Sequence, residues 1–244
     1  PARAVLPAAS RLLALPDVVT SVCDYLASPI RAVRGPRETR VVPCIVEPYP
    51  PAPRRTRTGD GAVTLRLVST GGLIDRKDPL LALEIVAELV RRDIDAHLTW
   101  VGEGPLHDAV VERASRPDVA GRIELTGAQD AAGVRAALAD ADIFLGPTKA
   151  DNFFVSAAEA VVAGRPVVVG ATGGQGEYLT PSTGVLVESR DPRDWAEALI
   201  DLDRATRDLS AEDIAATIGD AFSSRVVAAG YNAAYRSAVA MKSR

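Results

Sequence analysis

The spacing of apolar and polar positions divides the chain into an irregular opening region and a long regular one. Residues 4–15 are an Ala/Leu-rich stretch compatible with a helix, interrupted at Pro16. Asp17–Val22 then reads as a short buried strand, Asp24–Val33 as a helix broken at Gly35-Pro36, and Arg40–Val46 as a second strand. Glu47–Asp60 has no periodicity and is rich in Pro, Arg, Thr and Gly, the composition of a linker. Beyond it strands and helices alternate. Strands are expected at Val63–Ser69, Ala96–Val101, Arg122–Thr126, Asp142–Leu145, Pro166–Val169 and Val185–Val187. Helices are expected between them at Asp78–Arg91, Pro105–Ala114, Ala131–Leu138 and Val155–Ala163, and the remainder after the last strand is expected to be helical, including Asp191–Asp203 and roughly Ser223–Lys242. Gly164 stands where a left-handed helix cap is wanted, and Pro166 blocks continuation.

Strands alternating with helices imply an α/β fold, a Rossmann-like doubly wound parallel sheet covered on both faces. Such sheets hold ligands outside the carboxyl ends of their strands. The segments to weigh are therefore Thr70–Asp78, Gly102–Pro105, Gly127–Asp130, Gly146–Val155 and Gly170–Glu177, each rich in Gly, Thr or charge.

Composition narrows the function classes. With 47% hydrophobic and 25% charged residues the chain is ordinary for a globular protein. A net charge of −4 argues against broad nucleic-acid binding. Arg54, Arg55 and Arg57 sit among prolines and are expected to be a solvated linker cluster. Cys23 and Cys44 are too few for a disulfide framework, and no Cys/His spacing points to a metal, so a reducing, cytoplasmic setting is expected. No apolar run reaches the length of a membrane span, and no signal segment opens the chain. The chain starts on Pro1 and reads as a fragment.

Three constellations carry chemistry. In Ser69–Pro79, Gly71 and Gly72 follow a strand and let backbone approach a ligand. Lys77 comes just before a helix start, whose N–H groups and dipole favour anions, so it suits a diphosphate. In Pro147–Ala160, Asp151 lies in a loop and Glu159 on the next helix, one carboxylate to either side of a phosphate bound at the helix start. Glu159 is embedded in Ala157-Ala158-Glu159-Ala160-Val161-Val162-Ala163, where a carboxylate needs a partner. In Gly170–Glu177 the glycines at 170, 173, 174 and 176 imply close backbone approach, with Gly173 and Gly174 offering donors to sugar or phosphate.

From Val68 to Ala198 these motifs, in order, resemble the C-terminal domain of the retaining, GT-B-fold "group 1" (family 4-like) glycosyltransferases. The motifs are Gly71-Gly72-Leu73…Lys77, Val101-Gly102-Glu103-Gly104-Pro105, Ile123–Gly127, Ala141–Leu145 with Pro147-Thr148, Asp151…Glu159, and Ala163–Val168 with Gly173-Gly174. The resemblance implies transfer of a sugar from a nucleoside diphosphate sugar, UDP- or GDP-linked, with retained configuration. It implies no metal and no cofactor, the nucleotide sugar being a substrate. Lys77 would bind the diphosphate, Glu159 the ribose, and Asp151 would lie near the sugar, these three being the catalytic candidates. Ala128, Gln129 and Asp130 would border the base. Asn152, Phe153, Phe154 and Val155 would line the helix start, Phe153 and Phe154 offering N–H groups. Gly102, Gly104 and Gly127 complete the donor-binding set. Residues 1–50 would be the remnant of an N-terminal acceptor-binding domain, 51–61 the linker, 62–222 the nucleotide-sugar domain, and 223–244 a helix packing back toward the missing half. Such a fragment would bind donor but turn nothing over alone. The acceptor and the missing half would be its partners, with membrane-surface contact at the inner face through that absent half.

The chain departs from the family pattern in places. Gly72 stands where an arginine is usual, removing one cation unless Arg76 substitutes. Asp151 replaces the commoner Glu, and Phe154 replaces a Gly, so its side chain is expected either to narrow the pocket or to select a particular sugar. A dinucleotide-binding oxidoreductase would need Gly-x-Gly-x-x-Gly after the first strand, which is absent. A glycosidase pairs carboxylates but has no use for phosphate-type glycine loops. A non-catalytic nucleotide-sugar-binding module and a sugar-nucleotide epimerase of the same fold stay open.

Overall fold

A computed structural model of the chain describes residues 12–13, 15–55 and 64–242. Most of the helix expected over 4–15, and Arg57 and the end of the expected linker, lie outside these residues. Two sheets are present among the described residues. The small one pairs β1 (Val19–Ser21) in parallel with β2 (Thr39–Val41), joined by α1 (Asp24–Arg34).

The main sheet holds β3 (Leu65–Thr70), β4 (Ala96–Val101), β5 (Ile123–Gly127), β6 (Ile143–Gly146), β7 (Val167–Gly170) and β8 (Gly184–Val187). All pairings are parallel, in the order β5-β4-β3-β6-β7-β8. This is the doubly wound order, and its direction of winding reverses between β3 and β6. Helices α2 (Pro79–Arg91), α3 (His107–Ala114) and α6 (Pro192–Thr206) cover one face with α4 (Ala131–Asp140) and α5 (Val155–Val162) on the other, joined by α7 (Ala211–Ala216).

The burial pattern follows from that layering. β6 and β7 are buried at every position, as strands covered on both faces must be. On one face Leu83, Ile85, Leu89, Trp195 and Leu199 pack on Leu67, Leu98 and Ile143. On the other, Leu138, Ala157, Val161 and Ile214 pack on Val68, Phe144 and Val169. Helix α7 carries no strong apolar stripe in the sequence, and a capping box at Ser210 and Asp213 starts it.

The opening region does not run free of this core. Val46 is buried in the second cluster and its N–H donates 2.9 Å to Phe222 O. Arg165, fully buried, donates to six carbonyls: Leu138, Ala139, Ala163, Gly164, Ala52 and Pro53. Four belong to the carboxyl ends of α4 and α5, where orphan carbonyls and the helix dipole favour a cation. The other two fasten the proline-rich segment to the domain. Arg54 and Arg55 are likewise docked rather than solvated. Arg54 donates to Thr206 O and Leu209 O at the end of α6, and Arg55 pairs with buried Asp142 at 2.5 Å. Helix ends and a buried carboxylate need donors, and these arginines supply them. The last helix, α8 (Ser224–Lys242), lies against β1, with Ser237 Oγ donating 2.5 Å to Glu38. Among the described residues no helix is long and apolar enough to cross a membrane.

Candidate functional site

The strand-order reversal opens a crevice between the loops that follow β3 and β6. After β3 the chain passes Gly71 at φ +140° and tightens into a single 3-10 turn at Asp75–Lys77. Asp78, in left-handed backbone, then caps α2 by accepting from Leu81 N–H, and its other oxygen pairs with Arg190. The helix start beside Lys77, expected to favour an external anion, therefore already holds its own carboxylate. Lys77 instead reaches across the crevice. Its Nζ donates 2.7 Å to Asp151 Oδ2 and stands 3.9 Å from the centre of the Phe154 ring. Arg76 Nη1 donates to the same Oδ2 at 2.7 Å and to Ala150 O at 2.9 Å. Burial pushes the Lys77 ammonium below its ordinary pKa, while Asp151 pulls the other way. Burial also pushes the Asp151 carboxyl up, but the bonds and charge of Lys77 and Arg76 outweigh it and hold that carboxyl below its usual range.

Helix α5 begins at the far side of the crevice with Phe154 at φ 59° and no side chain closing its end. A residue with a side chain in left-handed backbone costs about 1–2 kcal/mol. The ring position offsets it. Phe154 is buried edge-on against Phe144, and a β-carbon on Gly146 would lie 2.7 Å from its ring, so position 146 leaves room for it. Its side chain therefore lies mostly in the core, outside the lining of the larger cavity that Glu159 faces, and meets the crevice where Lys77 rests on its ring. Phe153 is buried too, against Tyr178 and Phe222.

One turn into α5, Glu159 faces a cavity of about 650 Å³ at the carboxyl ends of β3, β4 and β5. Glu159 makes no side-chain hydrogen bond or ion pair to any described residue, and burial raises its pKa, with Arg135 pulling it down. A partly buried carboxylate left without a partner is the feature of this site that the fold does not explain. Of the expected donor-binding residues, Gly71, Gly72, Gly102, Ala128, Gln129 and Glu159 line this cavity. Lys77, Asp151 and Asn152 belong to the adjoining crevice. Val155 is exposed at the start of α5, and Asp130 is spent on capping α4 through Gly133 N–H.

The glycines divide by role. A β-carbon on Gly102 would lie 2.1 Å from Gly71 O, and one on Gly104 2.5 Å from Leu73 O. A β-carbon on Gly173 would lie 1.9 Å from Asp151 O, and one on Gly174 2.5 Å from Asn152 O. These four let two pairs of loops lie against one another, and only Gly102 of them also lines the cavity. Gly127, at φ +69°, sits beside the Glu103 carboxylate.

Sequence reasoning missed part of the wall. Ala131, Val134, Arg135 and Leu138 line it from α4, a single helix face at i, i+3, i+4, i+7 spacing that was legible and went unassigned. Glu103 and Ser156 also contribute. Ile45, Val46, Glu47 and Tyr49 close it from the opening region, with the Arg135 guanidinium 4.6 Å over the Tyr49 ring. No local signal marks those four, because long-range packing brings them there. Among the described residues no cluster of His, Cys, Asp and Glu is placed to hold a metal ion.

Residues 64–204, more than half the chain, match the model of the family described as Glycosyl transferases group 1. The chain is similar to a phosphatidylinositol N-acetylglucosaminyltransferase component of Arabidopsis thaliana, 26% identical over 76% of this chain and 42% of the relative. It is also similar to a GDP-mannose-dependent monoacylated alpha-(1-6)-phosphatidylinositol monomannoside mannosyltransferase of Corynebacterium glutamicum, 26% identical over 76% of this chain and 52% of the relative. The chain thus spans about half the length of these curated relatives. Among solved structures, the sucrose-phosphate synthase of Thermosynechococcus elongatus superposes with a TM-score of 0.76 at 21% identity, covering 95% of this chain and 61% of that one. Anabaena HepE, solved in complex with UDP-glucose, superposes with a TM-score of 0.74 at 15% identity over 96% of this chain and 67% of that one. At such identities these likenesses concern the fold, which is that of GT-B glycosyltransferases.

Proposed function

Because the chain belongs to the group 1 glycosyltransferases, we propose that it binds the donor in a retaining sugar transfer from a nucleoside diphosphate sugar. The nucleoside occupies the cavity, with Glu159 accepting from the ribose hydroxyls and Ala128 and Gln129 beside the base. The diphosphate lies in the crevice at Lys77, near the uncapped start of α5, and the sugar faces Asp151. When the bond from the sugar's anomeric carbon to the diphosphate oxygen breaks, negative charge gathers on that oxygen. Lys77 stabilises it, a role that needs no metal. An acceptor hydroxyl then bonds to the same face of the anomeric carbon, its proton passing to the departing diphosphate oxygen. The observation that carries this reading is Glu159, a carboxylate facing a cavity without a partner.

The same reading assigns residues 1–50 to an acceptor-binding half and 51–61 to the joint between halves. Acceptor contacts lie outside this cavity, so the chain alone binds donor without turnover. It also puts the reaction in the cytoplasm, where the free thiols Cys23 and Cys44 persist, with contact to the membrane's inner face made through the acceptor half. One observation favours a second reading, a binding module without turnover even when complete: Gly72, where the family pattern has a cation, offers the cavity only backbone.

Calorimetric titration with UDP and GDP, paired with a transfer assay using UDP- and GDP-sugars, tests the proposal. At least one diphosphate should bind at millimolar concentration or below. Failure of both to bind sinks the donor-site reading, and transfer by this chain alone sinks the claim of inactivity.

A further inference from the structure

We propose that the Asp151 carboxylate is an internal stand-in for a phosphate, holding a seat between Arg76 and Lys77 that a phosphate of the donor takes over, with Arg76 as the second cation of that seat. The inference rests on the donor-site reading for the identity of the displacing group. Its own support is geometric. Arg76 Nη1 and Lys77 Nζ both stand 2.7 Å from a single oxygen, Asp151 Oδ2. The two cations therefore converge on one point, with their nitrogens within twice that distance of each other.

Their aim is built into the loop. Arg76 O accepts from Lys149 N–H at 2.8 Å and from Thr148 Oγ1 at 3.1 Å, which ties the 3-10 turn to the loop after β6. Arg76 is further steadied by Ala150 O, so its guanidinium is turned into the crevice although about half of it is exposed. Lys77 is largely covered and lies on the Phe154 ring. Two further cations nearby are already engaged, Lys149 by Asp75 at 2.6 Å and Arg190 by Asp78. A diphosphate carries charge on two adjacent groups, and a lone ammonium answers only one. A phosphate offers these same two donors more charge and more acceptor oxygens than a carboxylate does. Exchanging Asp151 for phosphate keeps both cations satisfied and frees the carboxylate to accept hydroxyl hydrogens from the sugar.

The test titrates the intact chain and its Arg76→Ala and Asp151→Asn variants with uridine, guanosine, UDP, GDP and inorganic pyrophosphate at several salt concentrations, thermal midpoints confirming folding. Arg76→Ala should weaken diphosphate and pyrophosphate binding about threefold to tenfold and flatten its salt dependence, leaving nucleoside binding unchanged. Asp151→Asn should strengthen diphosphate and pyrophosphate binding, because the competing anion is gone. Weaker or unaltered diphosphate binding by Asp151→Asn, in a folded protein, overturns the stand-in. Unaltered binding by Arg76→Ala overturns the second cation. Nucleotide binding that ignores both substitutions sinks this inference and leaves the donor site standing. Pyrophosphate binding that responds to both, with no preference for nucleotides, supports the seat and sinks the nucleotide reading.

Discussion

Replacing Glu159 by Gln should move stability and ligand affinity in opposite directions. In the free protein this carboxylate is partly desolvated, with no hydrogen-bond partner among the described residues; Arg135 and Tyr49 stand within electrostatic reach, and Arg135 pulls its pKa down. Neutralising it removes a desolvation cost of about 1 kcal/mol for a half-buried polar group. For a chain of this size that raises the melting temperature by roughly 2–4 °C. The pH dependence follows from the direction of the shift. Glu159 holds its proton more tightly folded than unfolded, so its ionisation destabilises the fold as pH rises from the ordinary value of 4.5 toward the raised folded one. The gain from Gln should therefore be full at neutral pH and vanish below about pH 4.5, as differential scanning calorimetry across pH would show. In the complex the sign reverses. Gln exchanges charge-assisted bonds to ribose hydroxyls for neutral ones, a loss of about 1–2 kcal/mol, or roughly fivefold to thirtyfold in Kd. A variant that loses stability and affinity together would show Glu159 to be a structural residue and refute the reasoning. So would one that binds nucleoside diphosphate as tightly as the parent.

The remaining expectations address neighbouring parts of the molecule. Lys77→Ala should weaken nucleoside diphosphate binding by at least about 1 kcal/mol while sparing the free nucleoside, read by calorimetry with both ligands. Donor affinity should also fall on acidification, beginning above the ordinary Glu range, as Glu159 takes up a proton at its raised pKa; a pH titration of Kd checks this. Gly102→Ala sets a β-carbon 2.1 Å from Gly71 O at φ +143°, so it should cost about 1–3 kcal/mol and displace the Gly71–Leu73 loop, measurable as lowered thermal stability together with lowered affinity. Arg165→Leu strands carbonyls at the ends of α4 and α5 and should cost at least about 3 kcal/mol in chemical denaturation, with protease sensitivity rising around Ala52 and Pro53.

What was legible in the chain alone was whatever depends on period and punctuation. Each strand of the main sheet was placed to within two residues, because the strands of a covered parallel sheet, fully buried at β6 and β7, read as short apolar runs. Gly164, at φ +74°, ends its helix as its position implied. The order of motifs identified the family, and the helix bearing Glu159 announced an acid in apolar surroundings. The helix Ala211–Ala216 fell within the stretch after β8 expected to be helical, but six residues are too few to show a period that would set its bounds.

Tertiary structure decided which groups meet and which carboxylates are already used. Sequence spacing begins one helix at Asp78 and sets Asp151 and Glu159 to either side of the start of another. Packing gives the first a cap and an arginine, the second two cations, and leaves the third without a bond. It also turned four glycines into the means of stacking loops, and set Glu47 and Tyr49, at the start of an apparently free linker, into the cavity's wall. Period and punctuation are properties of neighbours along the chain, so the sequence determines them. The environment of a charge depends on residues tens of positions away, and only the folded sheet brings those together.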